Sequence, residues 1–195
     1  MFRKIYCFFA WIAIKWWCFW SNIRFSDSTK SAKVEEDDIC FTPEGIREQS
    51  KKVYKKFKYT NDGADQLWDA IVPPPQNYIN YRDGYVYDDC DGFHSTMYHC
   101  VKNSIEGSCY LLSAVGHNAG HCLMAFWLNG WYILDYTKLY DPKESLEEAI
   151  SIYNESYKSI YGGDVWFNAL VEYNYSTGKF SAVKVSDAKR LRNGN

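Results

Sequence analysis

Runs of apolar and polar positions divide the chain. Residues 2–20, "FRKIYCFFAWIAIKWWCFW", start basic and turn apolar: ten apolar residues from Ile5 to Ile14, then Lys15, then five more. "SDSTKSAKVEEDD" (26–38) is polar and has no aromatic residue. From Thr42 the spacing is helical, with Thr42 suited to the cap, Pro43 to the first helical position, and Ile46, Val53, Tyr54 and Phe57 forming a stripe. "DGADQLWDAIV" predicts a short second helix that "PPP" at 73–75 stops. A tyrosine-rich loop follows.

Phe93, Met97, Cys100 and Val101 lie at i, i+4, i+7 and i+8, which predicts a helix from Cys90 that Gly107 ends. "SCYLLSAV" then predicts a buried strand and "GHNAG" a loop. "HCLMAFWLNGWYILDYT" predicts a hairpin with a two-residue turn at Asn129-Gly130. "DPKESLEEAISIYNESYKSIY" predicts a helix capped by Asp141 and closed by Gly162-Gly163. "VWFNALVEYNYSTGKFSAVKV" predicts a second hairpin, turning at Ser176 to Lys179. Helices followed by antiparallel strands predict an α+β domain in which a helix packs on a small antiparallel sheet. The expected organisation is an apolar aromatic helix over 1–25, a polar linker over 26–41, one domain over 42–187 and a loose tail over 188–195.

The first segment is short for a membrane span of about 20 residues, and Lys15 interrupts it. A secretory signal wants small residues where Trp16, Trp17, Phe19 and Trp20 stand. It is expected to be an attachment device outside the domain core, docking through residues 2–20 on a membrane surface or a protein partner. An uncleaved signal anchor and an arm folded on its own domain remain open alternatives. The charge balance, 22 basic against 24 acidic side chains, gives no reason to expect nucleic acid. The lysines at 51, 52, 55, 56 and 58 read as the solvated face of a helix. Seven cysteines, an odd number without C-x-x-C spacing, suggest buried free thiols and a reducing compartment, with a possible membrane attachment through the N-terminus.

The densest chemistry is "YDDCDGFHSTMYHC", Tyr87 to Cys100. Zinc is not expected, because no cysteine pair has knuckle spacing and His99 and Cys100 diverge by about 100° on a helix. Asp83, Asp88, Asp89 and Asp91 lack the ligand spacing of a calcium loop. Cys90, by contrast, falls where a loop enters a helix, and the positive helix end lowers a thiol pKa there. His121 opens a strand and Asp135 ends the next, so the hairpin brings them to adjacent strands. That set, Cys90, His121 and Asp135, is a nucleophile, a base and a group that orients the base. Asp89 and Asp91 are expected to cap the helix or face substrate. His94, His99 and His117 are read as helix-face or loop residues, and Cys100, Cys109 and Cys122 as core.

These residues carry a resemblance. "DDCDGFHSTMYHCVKNSIEGSCYLLSAV" followed by "GHCLMAFWLNGWYILDYT" resembles the transglutaminase-like superfamily, most closely its bacterial cysteine proteinases. Cys90, Gly107, His121, and Trp131 with Asp135 and Thr137 match its pattern in order, over roughly Val53 to Thr137. Cys122 and Tyr136 depart from it, Tyr136 standing where Pro is common. The resemblance implies a papain/transglutaminase-like catalytic domain over 42–187 and a Cys–His–Asp triad acting on peptide or protein amides through a thioester, without cofactor or metal. Water is the expected acyl acceptor. Gln76, Tyr85 and Tyr87 are candidates to assist the Cys90 amide as oxyanion donors. An amine-accepting transglutaminase, an NlpC-type peptidoglycan endopeptidase (whose "D-C-S-G" start resembles Asp89 to Gly92), and a non-catalytic assembly module of the same fold are the alternatives.

Overall fold

A computed structural model describes residues 2–25, 42–60, 71, 81–82, 85–102, 108–116 and 119–188. Its elements are α1 (Phe2–Arg24), α2 (Pro43–Lys55), β1 (Phe57–Tyr59), β2 (Tyr81–Arg82), β3 (Tyr85–Asp88), α3 (Cys90–Lys102), β4 (Cys109–Gly116) and β5 (Gly120–Trp127). There follow β6 (Trp131–Asp135), β7 (Lys138–Leu139), α4 (Leu146–Tyr161), β8 (Val165–Asn174), β9 (Lys179–Val183) and a 3₁₀ turn, Val185–Asp187. The main sheet has the order β7-β6-β5-β4-β8-β9, every pairing antiparallel. A small sheet, β1-β3-β2, sits beside α3, with β1 and β3 parallel. The protein is thus an α+β chain.

Period-two alternation lets the main sheet serve two cores. Leu111 of β4, Met124 and Phe126 of β5 and Leu134 of β6 pack with Phe93, Met97 and Val101 of α3 and with Ile46 of α2. Leu112, Ala114, Leu123, Ala125 and Ile133 face the other way and meet Leu146, Ile150, Tyr153 and Tyr157 of α4. The helix that carries Cys90 therefore covers one face, and α4 covers the second.

The start of the chain departs from the expectation of a separable appendage. Ile14 and Cys18 of α1 are buried in the same core as Phe93 and Met97. Asn22 locks α1 to β9, the edge strand: its Nδ2 donates to the Phe180 carbonyl (2.9 Å) and its Oδ1 accepts the Phe180 N–H (2.7 Å). An edge strand offers backbone groups without strand partners, and this side-chain amide fills one pair of them. Among the described residues no helix is long and apolar enough to cross a membrane.

Three local expectations also shift. The predicted stripe of α2 ends early: Thr42 caps it by accepting the Gly45 N–H (3.1 Å), but Phe57 opens β1. The first hairpin turns through Leu128, Asn129 and Gly130, because Trp127 pairs with Trp131 and only Asn129 takes a left-handed φ (57°). Helix α4 starts at Leu146 under a Ser145 cap whose hydroxyl accepts the Glu148 N–H, not under Asp141. Lys143 is instead held in extended pairing with Trp131 through two backbone hydrogen bonds. The predicted helix at 62–72 lies outside the described residues except for Ile71, as do Gly107 and His117.

Candidate active site

The head of α3 is built by three acidic residues and a glycine. Asp88, the buried end of β3, accepts the Asp89 N–H on Oδ1 (2.9 Å). Asp89 accepts the Asp91 N–H on its own Oδ1 (3.0 Å), and its carbonyl takes the Phe93 N–H (3.2 Å). The Asp91 N–H, one of the amides that a helix start leaves unpaired, is thereby engaged. Gly92 is required by the same arrangement, since a Cβ there would lie 2.1 Å from the Asp88 carboxyl carbon. This seat makes Cys90 the first residue of α3.

The second half of the site comes from strand register. Met124 of β5 pairs with Leu134 of β6, so extending the ladder sets Asp135 opposite Leu123. His121 is two residues further along β5, on the same face and diagonal to Asp135. The His121 Nε2–H donates to Asp135 Oδ1 at 2.9 Å, with both side chains largely buried. The imidazole's other nitrogen, Nδ1, takes no part in that bond. His121 and Cys90 line one cavity of about 110 Å³, and the N–H of Cys122, the residue after His121, donates to the Cys90 sulfur at 3.3 Å. The walls of this cavity include Leu111, Val171 and, from α1, Ile14 and Trp17.

A second imidazole lies one helical turn from the thiol. His94 is fully buried; its Nδ1 is 2.7 Å from the Cys90 carbonyl and its Nε2 accepts the Tyr136 N–H at 3.0 Å. An amide nitrogen can only donate, so Nε2 must be bare and Nδ1 must carry the proton. Both nitrogens are committed, which leaves none for the thiol. Burial, followed by the nearby charge of His121, pushes the His94 pKa down to about 4. Tyr136 adopts a left-handed φ of 49°. A proline at 136 could neither take that φ nor supply the N–H, so the departure from the resembled pattern at 136 and the presence of His94 belong together.

The electrostatics of the thiol differ from the sequence-based expectation. Burial, then the charges of Asp89 and Asp91, push the Cys90 pKa well above the ordinary thiol range. The Cys122 and Cys90 backbone amides oppose this but do not overcome it. The balance favours the neutral thiol at Cys90. Desolvation by burial is the largest cause, and the charges of Asp89 and Asp91 add to it, so together they outweigh the helix end. The rings of Tyr136 and Tyr161 both lie near His121, at centroid distances of 5.7 and 5.8 Å. Burial raises the Tyr161 hydroxyl to about 12.

Other candidates separate from this centre. His99 meets the Tyr175 hydroxyl through Nδ1 (3.2 Å). Tyr85 and Tyr87 lie on β3, neither lining the cavity, and Gln76 and Asp83 fall outside the described residues. Cys109 and Cys122 pack against the α3-side core. Among the described residues the one acidic or His/Cys grouping with metal-ligand spacing is Asp88, Asp89 and Asp91, within 4.8 Å of one another. Two of these carboxylates already hold helix-head amides. The sequence reading missed the contributions of His94, Tyr136, Tyr161, Ile14 and Trp17. Only His94 carried a signal, its i+4 spacing from Cys90. Asp135 holds the His121 ring and Cys90 lines the same cavity, while the hydrogen bond at the Cys90 sulfur comes from the Cys122 N–H and not from the ring. Comparison of the chain with protein-family models, curated proteins and solved structures finds no match to any of them.

Proposed function

We propose that the protein is a cysteine-dependent acyl-transfer enzyme that hydrolyses an amide bond, with a papain/transglutaminase-like catalytic core. The observation that carries this reading is the His121–Asp135 hydrogen bond at 2.9 Å, with His121 lining the same cavity as a helix-head cysteine. As a neutral thiol at rest, Cys90 gives its proton to His121 Nδ1 as the sulfur attacks the amide carbonyl. Asp135 holds the Nε2–H and stabilises the imidazolium that forms. The tetrahedral oxyanion is met by the Cys90 backbone amide. Collapse expels the amine, which takes the proton from His121, and leaves a thioester on Cys90. Water, deprotonated by His121, attacks the thioester, releases the acid and restores the thiol.

His94 serves this scheme as a positioning residue. It ties the Cys90 carbonyl to the backbone beside Asp135 and so fixes nucleophile and orienter relative to one another. The apolar walls, Leu111, Val171, Ile14 and Trp17, favour a substrate with an apolar group next to the scissile amide. The test is a peptide-aldehyde or chloromethyl-ketone library, followed by mass mapping of the modified residue and turnover of the matching peptide amides. Adduct formation at Cys90 that vanishes in His121→Ala supports the reading. Modification spread over several cysteines, with no turnover, overturns it in favour of a non-catalytic module.

A further inference from the structure

Helix α1 is apolar on two opposite faces, and the sheet uses one of them. Ala10, Ile14, Cys18 and Ser21 are buried against it. Diametrically opposite stand Phe8, Phe9, Ile12, Trp16, Phe19 and Ile23, between 43% and 61% exposed. At about 100° per residue they form a stripe about 100° wide and about 22 Å long. An exposed stripe of this kind marks an interaction site.

Charge identifies the occupant. No Asp or Glu occurs from Phe2 to Arg24. Lys4 and Lys15, both exposed, lie along one edge of the stripe, and Arg24 closes the last turn. A second copy of the chain would bring these like charges together across an interface. An anionic lipid surface satisfies both halves of the pattern: aromatic and aliphatic side chains enter the headgroup boundary while the amines reach lipid phosphates.

We propose that the outward face of α1 lies in the plane of an anionic membrane surface and holds the whole protein there. The helix does not need to cross, and its inner face remains bonded to β9 through Asn22. This seat is independent of the reading of the Cys90 site. It places the cavity wall formed by Ile14 and Trp17 on the same helix that meets the lipid.

The full-length protein is sedimented with sucrose-loaded vesicles of mixed phosphatidylglycerol and phosphatidylcholine, and with phosphatidylcholine alone. The wild type is expected to sediment with the anionic vesicles and more weakly with the neutral ones. Phe8→Ser/Phe19→Ser and Lys4→Glu/Lys15→Glu should each weaken binding about tenfold or more, at unchanged melting temperature, because all four side chains are on the solvent side. Trp16→Ser, with an expected loss of about fivefold, decides the matter should a double variant fail to fold. Failure of the wild type to sediment, equal binding by the variants, or a dimer in light scattering that Phe8→Ser/Phe19→Ser dissolves would each overturn the proposal. None of these readouts depends on turnover.

Discussion

His94 should make the stability of this protein pH-dependent in a calculable way. Its imidazole is buried, and its pKa is pushed from 6.5 down to about 4 by burial and then by the charge of His121. Between those two values the unfolded chain takes up a proton that the folded chain refuses. The His94 contribution is therefore fully present above pH 6.5 and is lost as pH falls through about 4. Integrated over that window, the loss is about 2 kcal/mol by pH 5 and about 3 kcal/mol by pH 4. The comparison variant is His94→Asn, which does not titrate. Its side-chain amide can still donate to the Cys90 carbonyl, but the Tyr136 N–H loses its acceptor, which costs about 1–3 kcal/mol. Urea denaturation of both proteins from pH 7 to pH 4 isolates His94, because every other titrating group is shared. The wild type should be the more stable at pH 7, and its advantage should shrink and then vanish or reverse by pH 4. A wild-type-minus-variant difference that stays constant with pH, or a His94 NMR resonance that titrates near 6.5, refutes the reasoning.

Gly92→Ala should destabilise by about 2 kcal/mol, read as a lower melting temperature, although alanine is ordinarily the better helix residue by about 1 kcal/mol. The added Cβ meets the Asp88 carboxyl at 2.1 Å, and an unchanged or higher melting temperature would show that the Asp88 seat is misassigned. Cys90→Ala should abolish amide hydrolysis with a near-wild-type melting curve, and His121→Ala should be almost as severe, about a thousandfold or more. Asp135→Asn should be milder, with losses that do not add across the three, and additive losses would mean that the groups do not serve one transition state. Deleting residues 1–31 should give an aggregating or markedly less stable chain, since Ile14, Cys18 and the Asn22 clamp leave with it; a well-folded truncated domain, seen by circular dichroism, would return α1 to the status of an appendage.

By itself the sequence determined the local and periodic features. The spacing of Phe93, Met97, Cys100 and Val101 specified α3, and the aromatic alternation around Asn129-Gly130 specified β5 and β6. The helix-head position of Cys90 and the placement of His121 and Asp135 on paired strands followed from those elements, because register propagates along neighbouring strands. Whatever depended on distance in space was decided by the tertiary structure. The apolar pattern of α1 said that the helix must bury a face, but a pattern has no partner written into it. Only packing showed Ile14 and Cys18 entering the core and Trp17 reaching the Cys90 cavity. Asp141 was the expected cap, and the pairing of Lys143 with Trp131 moves the helix start to a Ser145 cap. The thiol's ionisation went the same way. A helix end is a local property, legible from residue order, whereas desolvation is set by every atom that closes around the sulfur, and here the second outweighs the first.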